Sequence, residues 1–202
     1  AGICAAVRSA RSGLTVAMVQ DRPVLGGNNS SEVRIGMLGT TMRPPFPKLG
    51  EVVKELDTAG RFDDAHKRKI VEAEKNIRLF LEQRVTEVER RGNRITAVVA
   101  RHVRTGQRKR FSAPLFADCT GDGNLGFLAG ADWRMGRESR AETGESKAPQ
   151  ESDATVLGAT LHWQAVATGK APAFPGCPWA VRFTEETCRF TLSSAWNWEA
   201  GY

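Results

Sequence analysis

The amino-acid sequence predicts an α/β fold, in which helices pack on a parallel sheet that carries an inserted antiparallel β-meander. Residues 3–11 are Ala-rich and apolar on several sides, as in a helix that packs on a sheet. Residues 15–20 form a short apolar run, which is typical of a parallel strand buried on both faces. Later segments resemble strands separated by glycine turns, which is typical of a meander.

The N-terminal part of the chain is predicted to alternate helices, loops and strands. Gly13 ends the first helix in a C-cap role. Residues 21–47 are rich in Gly, Asn, Ser and Pro, which indicates ligand-facing loops with short elements. Residues 49–76 are charged and predicted to be helical with a break near Gly60, and residues 77–81 alternate like a strand.

The middle of the chain is predicted to form the meander and then return to the parallel sheet. Its strands are expected at residues 85–89, 95–103 and 108–117. The turns between them fall at Gly92 and Gly106. Residues 115–119 would rejoin the parallel sheet, and a short helix would follow at residues 127–131.

A change in composition after residue 132 indicates a domain boundary. Residues 134–152 are charged with low apolar content, as in an exposed or substrate-side insertion. Residues 153–202 carry four of the five Trp, for which core packing is the favoured explanation. We therefore predict a first domain at residues 1–132 and the incomplete start of a substrate domain at residues 133–202.

Composition and charge exclude several classes of function. The chain is 41% hydrophobic, which is ordinary for a globular protein, and no apolar run approaches the roughly 20 residues of a membrane helix. The net charge is +6, but the densest basic stretch, residues 101–110, straddles a predicted turn. This pattern is typical of a solvated hairpin, so we expect no nucleic-acid partner and no membrane span.

The four cysteines give no sign of a metal site or a disulfide framework, because none of them forms a C-x-x-C pair. Cys4 lies in an apolar helix and Cys119 at the end of an apolar segment, so both are predicted to be buried thiols. The missing dithiol also argues against a disulfide-reductase reaction.

Ala1-Gly2 and the helix after it match the end of a dinucleotide-binding glycine loop. In such loops the last glycine lets the helix pack closely, and the helix N-terminus faces a pyrophosphate. An Ala-rich core helix without any ligand explains these residues equally well. The spacing favours the loop, because the strand ends about 20 residues after Gly2, where a ribose-binding acid is expected. Gln20 and then Asp21 stand there.

Residues 13–31, G-L-T-V-A-M-V-Q-D-R-P-V-L-G-G-N-N-S-S, resemble the FAD-binding front end of the glutathione-reductase-like flavoproteins. They are most similar to the bacterial FAD-dependent oxidoreductase family, which carries a Leu-Gly-Gly-Asn-x-Ser segment. The resemblance covers most of residues 1–132 and implies a Rossmann-like FAD-binding domain with FAD as its cofactor. The chain differs from the family at one position, because the family normally has Glu where Gln20 stands.

The resemblance assigns Gln20 to the ribose of FAD. An amide can exchange hydrogen bonds with ribose hydroxyls, although without the charge-assisted strength of a carboxylate. Asp21 would replace it only by turning inward, and neighbouring strand residues point to opposite faces. By the same resemblance, Val85 presents its backbone to the adenine.

The glycine-rich loop after this strand is predicted to lie along the pyrophosphate and the flavin. Gly26 and Gly27 allow close backbone approach to the cofactor. Asn28 and Ser30 are the expected polar contacts of this loop. The alternative is an ordinary polar turn that caps a helix beginning near Glu32.

A second cofactor loop is predicted within F-A-D-C-T-G-D-G-N-L-G, residues 116–126. Residues 121–126 also spell G-x-G-x-x-G, but a lone motif followed by a short helix is weak evidence for a separate nucleotide site. The resembling flavoproteins have an Ala-Thr-Gly-Asp-like segment here, whose Asp binds the ribityl chain. The residues matched to it are Thr120, Gly121, Asp122 and Gly123. The alternative for Asp122 is an N-cap of the following helix.

The resemblance implies an FAD-dependent oxidoreductase that moves hydride or electrons between a small organic substrate and bound flavin. Glu32, Arg34 and the more remote His162 are candidates for catalytic residues, although a lone His is more often structural. The net charge suggests one alternative, a flavin-containing RNA-modifying or nucleic-acid-binding protein, and a non-catalytic scaffold that retains the fold is a second. Against the RNA-modifying class, the Cys-Asn-Pro segment of tRNA-modifying flavoproteins is missing after the second strand.

The first residues of the chain also lead to an expectation about its completeness. It begins Ala-Gly-Ile-Cys without Met and inside a predicted helix, so we expect a fragment that lacks the first strand of the fold. Such a stretch alone is predicted to be poorly stable or to hold FAD weakly. With no secretory signal in these residues, we expect a cytoplasmic location.

Overall fold

In the computed structural model, residues 1–37, 44–48, 50–60 and 62–157 are described, together with residues 169, 178 and 179. The chain divides into two compact units, residues 1–160 and residues 161–202. All helices and strands given below lie in the first unit. Residues 133–157, which we assigned from the sequence to the second domain, belong to this first unit.

The described part of the first unit contains both helices and strands. Its helices are α1 (Gly2–Arg11), α2 (Glu51–Asp57), α3 (Asp64–Ala73), α4 (Asn124–Leu128) and α5 (Arg140–Thr143). Its strands are β1 (Val16–Val19), β2 (Ile77–Phe80), β3 (Gln83–Arg91), β4 (Arg94–His102) and β5 (Arg108–Ser112). None of these helices has the length and apolarity that a membrane span requires.

The α/β part of the fold follows the predicted order. β1 and β2 pair in parallel, with Val16 opposite Ile77. α1 stops where predicted, because Gly13 has a φ of 88° and its N–H donates to Ala10 O at 3.0 Å. Such a left-handed glycine satisfies the last carbonyls of a helix. The expected break between α2 and α3 contains Gly60, whose φ is 128°.

The hydrophobic core lies where α1, α2 and α3 meet the loop that follows β1. Its buried members are Ile3, Val7, Leu25, Leu56, Ile70 and Val71. Met18 of β1 and Ile77 and Leu79 of β2 pack against them. Leu25 is only 1% exposed, so the glycine-rich loop is anchored in the core by the residue just before its first glycine.

The antiparallel meander is confirmed as a three-stranded sheet in the order β3-β4-β5. Two ion pairs, Arg108–Glu87 at 2.6 Å and Arg110–Glu89 at 2.7 Å, join β5 to β3. The register places these pairs across the face of β4 that carries Val99. Long side chains can cover apolar surface in this way while their charged ends stay in water.

The predicted return of residues 115–119 to the parallel sheet is wrong. β5 ends at Ser112, and residues 113–119 form no ladder with any described strand. Pro114 lacks the N–H that would continue β5, and the described residues provide no neighbouring strand for the segment. Cys119, predicted to be buried, is exposed.

The core position of Leu25 yields a test of the fold. Leu25→Ala should lower the free energy of unfolding by about 2–5 kcal/mol, because it removes a buried side chain and leaves a cavity. Leu14→Ala, at a position that is 56% exposed, is the matched control and should change it by about 0.5 kcal/mol or less. Urea unfolding of both variants measures the difference, and equal effects would contradict this core.

Candidate cofactor-binding site

The N-terminus of α1 offers unsatisfied backbone donors. Its N-cap is Ala1, whose side chain makes no capping hydrogen bond, and no acidic residue lies in the first turn. The first N–H groups of a helix have no partner within the helix, and the helix dipole adds partial positive charge there. This end of α1 therefore suits a negatively charged group.

Gly2 and Cys119 bring the start of α1 against the loop before α4. A Cβ atom built on Gly2 would lie only 3.2 Å from the Cβ of Cys119 and 3.9 Å from its Sγ. Only a residue without a side chain allows this approach without a shift of the neighbouring loop. Ala1-Gly2 and the predicted second cofactor loop, more than a hundred positions apart, therefore meet in space.

The loop of residues 118–123 is shaped by Asp118, a residue that the sequence analysis did not select. Its Oδ1 accepts hydrogen bonds from the Thr120 N–H at 3.0 Å and from Thr120 Oγ1 at 2.7 Å. Its Oδ2 accepts from the Gly126 N–H at 2.9 Å. The signal in the sequence was the carboxylate two residues before a Thr, which is a common turn-forming arrangement.

Asp122 does not cap the following helix. The N-cap of α4 is Gly123, with a φ of 71° and no capping bond from a side chain, and Asp122 itself is exposed. The alternative explanation of Asp122 as an N-cap is therefore wrong. The helix itself begins earlier than predicted, at Asn124, because the N–H groups of Asn124 and Gly126 are already satisfied by the preceding loop.

The loop after Leu25 is a tight 3-10 turn over Gly27–Asn29. Gly26 has a φ of 118°, and a Cβ there would meet the Asn29 carbonyl oxygen at 3.0 Å. Ser30 is 1% exposed, and its Oγ donates to the Gly27 carbonyl at 2.7 Å. Its hydroxyl is therefore used inside the loop, whereas Asn28 is exposed.

No helix begins near Glu32, so the alternative explanation of this loop as a helix cap is wrong. Residues 31–33 form a turn, and the next described helix is α2. The loop is instead tied to α3 by Asp64, whose carboxylate accepts from the Ser31 N–H at 3.1 Å and, in a short hydrogen bond, from Ser31 Oγ. Because this contact joins residues 33 positions apart, no local pattern could have revealed it.

Gln20 lies where β1, β2 and β3 converge. Its N–H donates to Phe80 O, and its carbonyl accepts from the Gln83 N–H, both at 2.9 Å. Its side-chain Nε2 donates to Val24 O at 3.1 Å. Gln20 is half-buried, whereas Asp21 is exposed, and Val85 lies in β3 two residues after Gln83.

Comparison with protein families decides the identity. A family model described as FAD dependent oxidoreductase matches residues 1–195. The chain belongs to this family. It is therefore an FAD-dependent oxidoreductase, and FAD is its cofactor. Comparison with curated proteins and with solved structures finds no match.

The geometry of this FAD-dependent oxidoreductase fits such a cofactor. FAD carries a pyrophosphate, which the start of α1 can meet with backbone N–H groups. The two loops each contain paired left-handed glycines, with φ values of 118° and 58° at Gly26 and Gly27 and of 94° and 71° at Gly121 and Gly123. Such backbone lets a ligand approach closely. No hydrogen bond among the described residues joins the two loops to each other.

Glu32 and Arg34, the predicted catalytic candidates, are both engaged in the first loop. Glu32 accepts two hydrogen bonds of 2.8 Å from Arg22, which hold the pKa of its carboxyl below the usual value. A carboxylate held ionised in this way is a poor proton donor at neutral pH. Arg34 has a φ of 60°, and its Nε donates to Ser31 O at 3.2 Å. His162 lies outside the described residues.

A cavity of about 340 Å³ lies in the polar segment after α4 and includes none of the predicted cofactor residues. Arg134 and Arg137 line it, but Arg134 pairs with Glu142 at 2.7 Å and Arg137 pairs with Asp153. Its two arginines are therefore already neutralised by neighbouring carboxylates.

The Gly2–Cys119 contact can be tested by a double-mutant cycle. Gly2→Val should lower the free energy of unfolding by about 1–3 kcal/mol through overpacking against Cys119. In the background of Cys119→Gly, which removes the nearest atom, the same substitution should cost distinctly less. Ala5→Val, at an exposed position of α1, controls for the helix propensity of Val. Additive effects in urea unfolding would contradict the contact.

Proposed function

We propose that α1, the two glycine loops and the ends of β1 and β3 together bind FAD in an extended conformation. The observation that carries this proposal is the contact of Gly2 with Cys119, because it sets the second loop against the helix end suited to a pyrophosphate. The free N–H groups at Gly2 would hold the pyrophosphate. Each remaining part of the cofactor would then meet a neighbouring element.

The adenosine end would lie at Gln20 and Val85. Because Nε2 of Gln20 already donates to Val24 O, its Oε1 is the atom that would accept from a ribose hydroxyl. Being neutral, it would hold the ribose less strongly than the Glu normally found in the family. Asp21, exposed at the next position, is the second choice. The backbone of Val85 would meet the adenine.

The flavin end would lie between the two loops. In the second loop, Asp122 would accept from the ribityl hydroxyls, while Gly121 and Gly123 would offer backbone N–H groups. Thr120 would contact FAD only through its carbonyl group, because its N–H is bonded to Asp118 and its hydroxyl to Asp118 and to the Asn124 N–H. In the first loop, Gly26, Gly27 and Asn28 would approach the pyrophosphate and flavin, and Ser30 would maintain the turn.

The proposed reaction is transfer of hydride or electrons between the flavin and a small organic substrate. Bound FAD supplies the two-electron chemistry, and the chain supplies orientation and a fixed electrostatic environment. Glu32, ionised by Arg22, would serve to hold the loop rather than to donate a proton. Arg34 would favour an anionic group beside the loop. His162 stays a prediction for a more remote catalytic role.

Charge pairing supports a small substrate over RNA. In the basic stretch of residues 101–110, three arginines are bound to glutamates: Arg104 to Glu82, Arg108 to Glu87 and Arg110 to Glu89. A nucleic-acid surface needs basic groups free to meet phosphates. These pairs offset the positive charge of the densest basic stretch, which weakens the RNA-binding alternative raised by the net charge of +6.

The proposed role of Asp122 is tested with the full-length protein. Asp122→Asn should weaken FAD binding about tenfold, because hydrogen bonds to a charged acceptor contribute about 1.5–3 kcal/mol. Affinity for AMP, which has no ribityl chain, should not change. The control is Asp132→Asn, which removes an exposed carboxylate after α4. Quenching of flavin fluorescence measures FAD affinity, and calorimetry measures that for AMP.

Two results would contradict different parts of the proposal. If purified wild-type protein neither carries flavin nor binds added FAD, the binding site is wrong as a whole. If it binds FAD and Asp122→Asn binds equally well, the site stands but the ribityl assignment of Asp122 is wrong.

A further inference from the structure

Asp118 is the centre of the hydrogen bonds in the second cofactor loop. Three donors converge on its carboxylate, namely the Thr120 N–H, the Thr120 hydroxyl and the Gly126 N–H, at 2.7–3.0 Å. Partial burial would raise its pKa, but these bonds, with one from the Leu125 backbone, hold the pKa below the usual value. Asp118 is therefore ionised at neutral pH and fully engaged by its own loop.

Asp118 and Thr120 together cap α4 from outside the helix. The N-cap residue Gly123 has no side chain, so the first-turn donors of α4 must find acceptors elsewhere. Asn124 N–H donates to Thr120 Oγ1 at 2.9 Å, and Gly126 N–H donates to Asp118 Oδ2. The Thr120 hydroxyl in turn donates a hydrogen bond to Asp118, which fixes the orientation of the hydroxyl. The loop and the helix therefore share one hydrogen-bond network.

The two carboxylates of this loop differ in what they face. Asp118 is directed at the N–H and O–H groups of its own loop, whereas Asp122 is exposed and caps nothing. Cys119, which follows Asp118, packs against Gly2. The network of Asp118 thus holds residues 120–123 in place relative to the N-terminus of α1, where the pyrophosphate is proposed to bind.

We propose that Asp118 is a positioning residue for FAD, which preorganises residues 120–123 so that Asp122 and the glycine N–H groups meet the ribityl chain. The inference rests on the proposed FAD site. It assigns Asp118 no contact with the cofactor. Removing its charge should leave the loop able to sample several conformations, of which only one binds FAD, so the observed affinity should fall.

The test compares Asp118→Asn with Asp132→Asn in the full-length protein. Asparagine keeps one acceptor oxygen but places an NH2 group against the Gly126 N–H or the Thr120 donors. FAD affinity should fall about tenfold, which corresponds to the loss of about one such hydrogen bond to a charged group. AMP affinity should stay within twofold. The visible circular dichroism of flavin at saturation should change in Asp118→Asn and remain unchanged in Asp132→Asn.

A second variant keeps the proposal falsifiable if Asp118→Asn does not fold. Thr120→Val removes the hydroxyl that links Asp118 to the Asn124 N–H. It keeps the shape of the side chain and the backbone N–H that donates to Asp118. It should weaken FAD binding about threefold, in the same direction and again without effect on AMP.

The outcomes separate this inference from the proposed function. Equal loss of FAD and AMP affinity, with an unchanged flavin spectrum, would mean that Asp118 supports only general stability, and the inference would be overturned. Unchanged FAD affinity in both variants would overturn it as well. Failure of the wild-type protein to bind FAD would instead overturn the proposed site itself.

Discussion

The space between Gly2 and Cys119 determines how the rest of the site is arranged. A Cβ on Gly2 would be 3.2 Å from the Cys119 Cβ, so a side chain there would force the loop before α4 to shift by a few tenths of an ångström. That close approach brings the loop that carries Asp122 and its glycines to the start of α1. Without it, the end of α1 and the loop would be two unrelated surface features.

Carboxylates that bind backbone N–H and hydroxyl groups hold both glycine loops. Asp64 binds the backbone and hydroxyl of Ser31, and Asp118 binds those of Thr120. Glycines give each loop freedom to approach a ligand but also increase the entropy of its unfolded and open states. An ionised carboxylate offsets part of that cost because its bonds are charge-assisted. The loops therefore combine flexible residue types with fixed geometry.

Local sequence patterns predicted the elements that depend on local physics. The left-handed Gly13, the apolar strand β1 and the break at Gly60 each follow from residues within one turn or strand. Residues 115–119 failed as a strand because a ladder needs a neighbour, and none lies beside them in the described part of the chain. Asp64 was missed because its partner, Ser31, lies 33 positions away in the sequence. Asp118 has its partners within eight residues, and its signal, a carboxylate two positions before a Thr, was present in the sequence but not used. Resemblance to a family predicted the two cofactor loops but not the carboxylates that shape them.

The measurement that tests the account most directly is alkylation of Cys119 with and without FAD. Cys119 is exposed, follows Asp118 and touches Gly2, so cofactor bound between these elements must cover it. Iodoacetamide labelling at each cysteine can be followed by peptide mass spectrometry, with half-buried Cys4 as an internal comparison. The account predicts strong protection of Cys119 at FAD concentrations that saturate fluorescence quenching. Labelling of Cys119 at an unchanged rate under saturating FAD would contradict it.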